Sequence, residues 1–309
     1  MDKDKIVIKT NKLTKKFGRR VAVNNLNLEI KQGEIFSLLG TNGAGKTTTI
    51  KMLCCLLQPT SGNASVMNFD TKVDPRKISE IIGVSPQETA IAEHLTTWEN
   101  LLLIGGVFGL KREESKRRAR NLMELLELED RKDQSRKLSG GLQRRLSIAM
   151  ALMSDPQILF LDEPTLGLDP HSRKSVWNYI KKLKKEKTIL LTTHYLEEAD
   201  ELADKIAIMD QGKIIAMGTS ADLKKSYTNK QTLKILGENI SEEIVETLNK
   251  KGAEVNIIQN GIEINVQELD VYSVMDVMRQ KNVKINGIQM KEPSLEEVFL
   301  HLTEKQQSK

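Results

Sequence analysis

The octapeptide G-T-N-G-A-G-K-T at residues 40–47 constrains this chain more than any other feature, because it lies between the apolar run I-F-S-L-L (35–39) and a stretch of helix formers. It matches the phosphate-binding pattern G-x-x-x-x-G-K-[ST] in the strand, loop, helix context that the pattern needs. Gly40, Gly43 and Gly45 let the backbone wrap close to a phosphate group, so that successive N–H groups and the helix N-terminus point at negative charge. The candidate nucleotide contacts are therefore Gly40, Thr41, Asn42, Gly43, Ala44, Gly45, Lys46, Thr47 and Thr48. Lys46 is expected to reach the β and γ phosphates, and the Thr47 hydroxyl to ligate Mg²⁺.

A second string, I-L-F-L-D-E-P at 158–164, delivers two carboxylates at the C-terminal end of an apolar strand, the edge at which ligands bind in α/β sheets. Asp162 is expected in the Mg²⁺ shell, and Glu163 beside the attacking water. Together with T-I-L-L-T (188–192), and a helical stretch over 171–185 between them, this string predicts an α/β unit with a parallel sheet. Residues 22–30 alternate, with Leu26, Leu28 and Ile30 on one face, which reads as an antiparallel strand. Residues 97–153 are almost wholly helical in pattern and predict a helical lobe beside the sheet.

Beyond about residue 221 the pattern changes to strand (232–236), helix (241–250), strand (253–258), strand (262–266), helix (269–280) and strand (283–290). The order β-α-β-β-α-β predicts a ferredoxin-like α+β module, with Asn260 and Gly261 as its hairpin turn. A last helix starts at Leu295, with Ser294 and Glu297 as its capping box. The domain expectation is 1–220 and 221–309.

The string L-S-G-G-L-Q at 138–143 precedes a helix with Leu142, Leu146, Ala149, Met150 and Met153 on one face. The N–H groups at its start, around Ser139, Gly140 and Gly141, form a second candidate phosphate site. This string resembles the signature of ABC ATPases, and with it the resemblance covers almost the whole chain in the family's motif order. The resemblance implies a phosphate-loop NTPase core that binds and hydrolyses ATP with Mg²⁺. It implies that Phe17 in K-K-F-G stacks on adenine and that Gln87 in G-V-S-P-Q touches Mg²⁺ or water and couples to a permease. It also implies that Asp169 in G-L-D-P crosses a dimer interface and that His194 in L-T-T-H contacts the γ phosphate. Lys46, Gln87, Glu163 and His194 are thus the implied catalytic set, and Thr47, Gln87 and Asp162 the implied Mg²⁺ set. Thr41 stands where proline is more usual, and Leu142 where glutamine or methionine is.

The stretches 193–219 and 292–300 (E-P-S-L-E-E-V-F-L) resemble the drug-resistance type of ABC exporter ATPases. That resemblance implies an exporter subunit working as a homodimer with ATP sandwiched between the copies, on a separate transmembrane permease. An importer ATPase shares the same catalytic core. A non-transport ABC ATPase on nucleic acid or ribosomes is the other alternative, but such proteins usually carry two ATPase units or a coiled-coil insertion, and neither pattern occurs.

Composition narrows the setting. Hydrophobic residues make up 39% and charged residues 29%, as in a globular protein. No apolar run approaches the roughly 20 residues of a membrane span. The N-terminal M-D-K-D-K-I-V-I-K-T lacks a signal-peptide core, so the expected location is cytoplasmic, peripheral on the inner membrane face through the permease. The net charge of +5 is concentrated in the first unit, since residues 221–309 hold 12 basic and 14 acidic side chains against 35 and 28 before them. The basic runs 111–120 and 181–187 lack interleaved aromatics and read as exposed helix faces, so no nucleic-acid partner is expected. Cys54 and Cys55 are expected on the helix after the glycine-rich loop, as buried apolar residues.

Overall fold

The computed structural model describes residues 4–128, 133–184, 186–227, 231–238, 240–266, 271–291 and 294–307. The chain divides into two compact units, residues 1–219 and 220–309.

The first unit opens with two long strands, β1 (Ile6–Phe17) and β2 (Arg20–Lys31), followed by β3 (Ile35–Leu39) and α1 (Lys46–Leu53). Next come β4 (Ser61–Val66), β5 (Phe69–Asp70), α2 (Pro75–Ile81) and β6 (Ile82–Ser85). The helical lobe contains α3 (Thr97–Val107), α4 (Arg112–Leu125) and α5 (Gly140–Leu152). The unit closes with β7 (Ile158–Asp162), α6 (Pro170–Leu183), β8 (Thr188–Thr193), α7 (Leu196–Leu202), β9 (Lys205–Asp210) and β10 (Lys213–Gly218).

These strands form an antiparallel sheet of order β2-β1-β4-β5 and a second sheet of order β10-β9-β3-β8-β7-β6, parallel except for β10. The central strands are apolar throughout because both of their faces are covered. Phe36, Leu38, Phe160 and Leu190 pack into one core with Leu13, Leu26, Leu28 and Ile30 of the antiparallel sheet. Ile35, Leu159, Leu161, Ile189 and Leu191 point the other way, into a core built with α5 and α6. The alternation within each strand thus separates two cores rather than core from solvent.

The observed α/β architecture matches the expectation, with two local corrections. Cys54 and Cys55 lie past the end of α1, where Cys55 turns into the left-handed region (φ 61°); Cys54 is buried, but Cys55 is only half-buried. The helix over 171–185 ends at Leu183, and Lys184 and Lys187, half-buried, pair with Asp204 and Asp155. The basic run after 111 does form an exposed face of α4, whose Ser115, Ala119 and Met123 turn inward.

The second unit runs α8 (Ser220–Tyr227), β11 (Gln231–Glu238), α9 (Glu242–Lys250), β12 (Glu254–Ile258), β13 (Gly261–Val266), α10 (Val271–Gln280), β14 (Lys284–Lys291) and α11 (Leu295–Gln307). Its antiparallel sheet has the order β12-β13-β11-β14, the ferredoxin-like arrangement that β-α-β-β-α-β predicts. Leu233, Ile235, Ile262 and Ile264 pack against Ile244 and Leu248 of α9 and Val274, Val277 and Met278 of α10. Residues 269 and 270 of the expected second helix lie outside the described residues. The Ser294–Glu297 capping box forms, at 3.2 and 3.3 Å. The hairpin turn is one residue earlier than expected. Ile258 pairs with Gly261, so Gln259 and Asn260 make the turn and Gly261 begins β13. Glycine is required there by packing, since a Cβ would meet the Ile235 carbonyl oxygen at 2.0 Å.

Candidate nucleotide site

Three parallel strands end side by side at the site: Gly40 follows β3, Glu163 follows β7 and His194 follows β8. Pairing of Leu39 with Thr193 and of Asp162 with Thr192 fixes their relative heights. The glycine-rich loop then turns into α1 through Gly45, at φ 106°, with the Ala22 carbonyl oxygen only 2.4 Å from where a Cβ would stand. No side chain caps α1, so its first N–H groups stay available to an anion.

The loop borders a cleft of about 450 Å³, of a size suited to a small ligand. Phe17, Arg20, Asn42, Gly43, Gly45, Lys46, Thr47, Thr48, Gln87 and Glu163 are among its lining. Phe17 is 50% exposed, with the Lys15 ammonium 5.2 Å from its ring centre, so it is not a core aromatic. Lys46 is 5% exposed and donates to the carbonyls of Gly40 (2.7 Å) and Thr41 (3.1 Å), while its ammonium stands 3.2 Å from Glu163 Oε1. The other Glu163 oxygen is 2.7 Å from His194 Nδ1. Glu163 itself sits at φ 50°, uncommon for a non-glycine residue. Ala44 is buried and anchors the loop, its carbonyl accepting from the Gly212 N–H.

Thr47 Oγ1 donates to Asp162 Oδ1 at 3.0 Å, and Thr192 Oγ1 donates to the same oxygen at 2.6 Å. One hydroxyl, one carboxylate and the Gln87 amide at the cleft make a sparse set of hard oxygen donors. Such a set suits Mg²⁺, which keeps waters and phosphate oxygens in its shell rather than a protein cage.

Ser139, Gly140, Gly141 and Asp169 do not line this cleft. Ser139 caps α5, accepting from the Leu142 N–H at 3.4 Å. Asp169 caps α6, accepting from the N–H groups of His171 and Ser172, both at 3.0 Å. Hydrogen bonds from Ser172 hold the Asp169 carboxyl below the usual carboxylate range. Gly140 lies against Leu168 and Gly141 against Ser172, so signature and acidic turn form one surface.

Sequence reasoning missed Arg20, Thr192 and Arg144. Thr192 carried a signal, a hydroxyl at the cleft end of a buried strand. Arg144 did not, because α5 reads as amphipathic but is buried nearly all round.

A parallel sheet carrying this loop, with a carboxylate-ended strand one place removed from it, is the arrangement of a phosphate-loop nucleoside triphosphatase. The family described as ABC transporter matches residues 23–166, and the C-terminal domain of DrrA1-3-like ATP-binding proteins matches 218–303. The linearmycin resistance ATP-binding protein LnrL of Bacillus subtilis is 34% identical over 96% of this chain and 98% of its own length. The daunorubicin/doxorubicin resistance ATP-binding protein DrrA of Streptomyces peucetius is 37% identical, over 96% and 92%. The Nod factor export ATP-binding protein I of a Rhizobium strain is 35% identical, over 99% of each. Among solved structures, a dimeric post-hydrolysis state of the ATP-binding cassette MJ0796, bound to ADP and phosphate, superposes with TM-score 0.62 at 30% identity, covering 69% of this chain and 98% of that one. The chain belongs to the ABC transporter ATP-binding family and is an ATP hydrolase.

Proposed function

We propose that this chain is the ATP-hydrolysing subunit of an exporter, working as a nucleotide-sandwiched homodimer on a separate membrane permease. The observation that carries the dimer is the separation of its two phosphate-binding helix starts. The phosphate loop opens onto the cleft, whereas the Ser139 segment does not line it. A signature that serves no nucleotide of its own chain is suited to the nucleotide of a second copy, with Asp169 beside it at the same surface.

Within one site, Phe17 offers a ring to adenine, and Lys46 with the loop N–H groups of Gly40–Thr48 takes the phosphate charge. Thr47, Asp162 and Gln87 would hold Mg²⁺. That ion supplies Lewis-acid neutralisation of charge on the transferring phosphoryl oxygens. Glu163 polarises the attacking water, and His194, bonded to Glu163, keeps that carboxylate aimed and contacts the γ phosphate. Ser139, Gly140 and Gly141 of the other copy close the site. Arriving phosphates must draw the Lys46 ammonium away from Glu163, which frees the carboxylate as the substrate seats.

The export direction rests on the whole-length likeness to resistance and Nod factor export proteins. No helix among the described residues is long and apolar enough to cross a membrane. A permease as partner is favoured by an apolar cleft on the first unit, where Leu56, Val84, Pro86, Ile104, Phe108 and Met150 meet beside the Gln87 loop. Leu56 and Phe108 are exposed there. A tagged chain should co-purify from membranes with a multi-span protein, and Leu56→Asp with Phe108→Asp should release it while ATP binding persists. Retention of the same membrane protein by that double variant would refute the docking assignment.

A further inference from the structure

Arg144 sits on α5, about one and a half helical turns after the Ser139 cap. It is 4% exposed, and among the described residues each of its hydrogen bonds goes to a main-chain carbonyl. Nε donates to Pro164 (2.9 Å), Nη2 to Asp162 (2.6 Å), and Nη1 to Pro86 (2.5 Å) and Gln87 (3.4 Å). Burial lowers its pKa to about 10, countered by Asp162, Glu198 and Glu163. A buried cation is costly unless its donors are met, and a guanidinium alone offers a rigid fork wide enough to meet carbonyls of separate segments. One side chain therefore fastens the signature helix to the Gln87 loop and to both sides of Glu163.

We infer that Arg144 is a positioning residue that locks a chain's signature half-site to its own acid half-site. The inference rests on the sandwich-dimer reading above. In that dimer Ser139 faces one nucleotide, while Gln87, Asp162 and Glu163 face the other. The Arg144 fork is a direct mechanical link between the two ATP sites. A displacement of the α5 cap by the partner's γ phosphate moves the carbonyls that frame Asp162 and Glu163 together. Lysine cannot replace it, because a single ammonium on a flexible stem cannot serve both segments at fixed geometry.

The test uses the full chain with Arg144→Met and Arg144→Lys, each with Glu163 intact and in a Glu163→Gln background. Three quantities are read: the Kd of a fluorescent ATP analogue at chain concentrations too dilute for dimers, kcat with its Hill coefficient, and ATP-dependent dimer formation by size-exclusion chromatography. Both variants should bind nucleotide as the parent does, lose about 100-fold in kcat and show a Hill coefficient near unity. The dimer peak should shrink in the Glu163→Gln background. Full recovery of kcat by lysine, an unchanged kcat in either variant, or parallel loss of Kd and kcat overturns the inference. Should the methionine variant not fold, the lysine variant decides by the same criteria. Failure of Glu163→Gln with Arg144 intact to dimerise with ATP brings down the dimer reading itself. A dimer that forms equally well with and without Arg144 brings down only the link.

Discussion

The phosphate loop and the signature segment are both glycine-bearing starts of helices, yet the chain treats them in opposite ways. At the loop, Lys46, Asp162 and Glu163 are 5%, 4% and 4% exposed and cross-bonded to one another's surroundings. At the signature, Ser139 and Gly140 are both exposed, and among the described residues the Ser139 hydroxyl meets its own helix. The first half-site carries its counter-charges with it, so it is organised before any ligand arrives. The second presents an exposed helix start at Ser139 and Gly140, which suits a phosphate brought by another molecule. One chain thus pairs an organised phosphate site with an open helix start.

Four experiments press on that contrast. Glu163→Gln should reduce kcat about 1,000-fold while nucleotide binding survives, measured by phosphate release against analogue binding. Near-normal turnover would remove Glu163 from the organised half. Ser139→Glu places a like charge at the open half and should reduce kcat about 100-fold without changing analogue binding to the dilute chain. Loss of that binding would mean the halves are not separate. His194→Ala should cost about tenfold to 100-fold in kcat, because once the phosphates have taken Lys46 the His194 bond is what still aims Glu163.

The smallest effect is on stability. Glu198 lies buried on α7, accepting from Thr165 Oγ1 (2.7 Å) and Trp177 Nε1 (3.0 Å). Burial raises its pKa. The folded state therefore holds its proton longer than the unfolded state, and its contribution to stability falls as pH climbs above the usual carboxylate range. Glu198→Gln should flatten that decline in Tm with pH. An unchanged slope would show that Glu198 ionises freely where it stands.

The parts of this molecule that were legible in its sequence are the ones encoded locally. The loop at 40–47 announces strand, turn and helix within a dozen residues, and D-E after I-L-F-L announces a strand end. The second unit was legible because its strands and helices alternate cleanly, except that Gly261 read as a turn residue when its absent side chain serves β11. What escaped was everything decided across distance. The span Ile6–Phe17 forms a 12-residue strand only by pairing with β2 and β4. Thr192 owes its role to a register with Asp162. Arg144 owes its hydrogen bonds to two segments remote in sequence, 86–87 and 162–164.

The sheet order β3-β8-β7 also sets a schedule for the growing chain. The phosphate loop and the acid strand are not neighbours; the strand that seats them both, Thr188–Thr193, is the last of the three to be made. On the ribosome the loop therefore emerges well before its partner residues, and the two hydrophobic cores stay open along a missing central strand. Chains stopped just before residue 188 hold the cleft-lining residues but lack the strand that sets Gly40 and Glu163 in register. For this fold, the interval between translating Gly40 and translating His194 is a period of exposure, during which a chaperone has the most to protect.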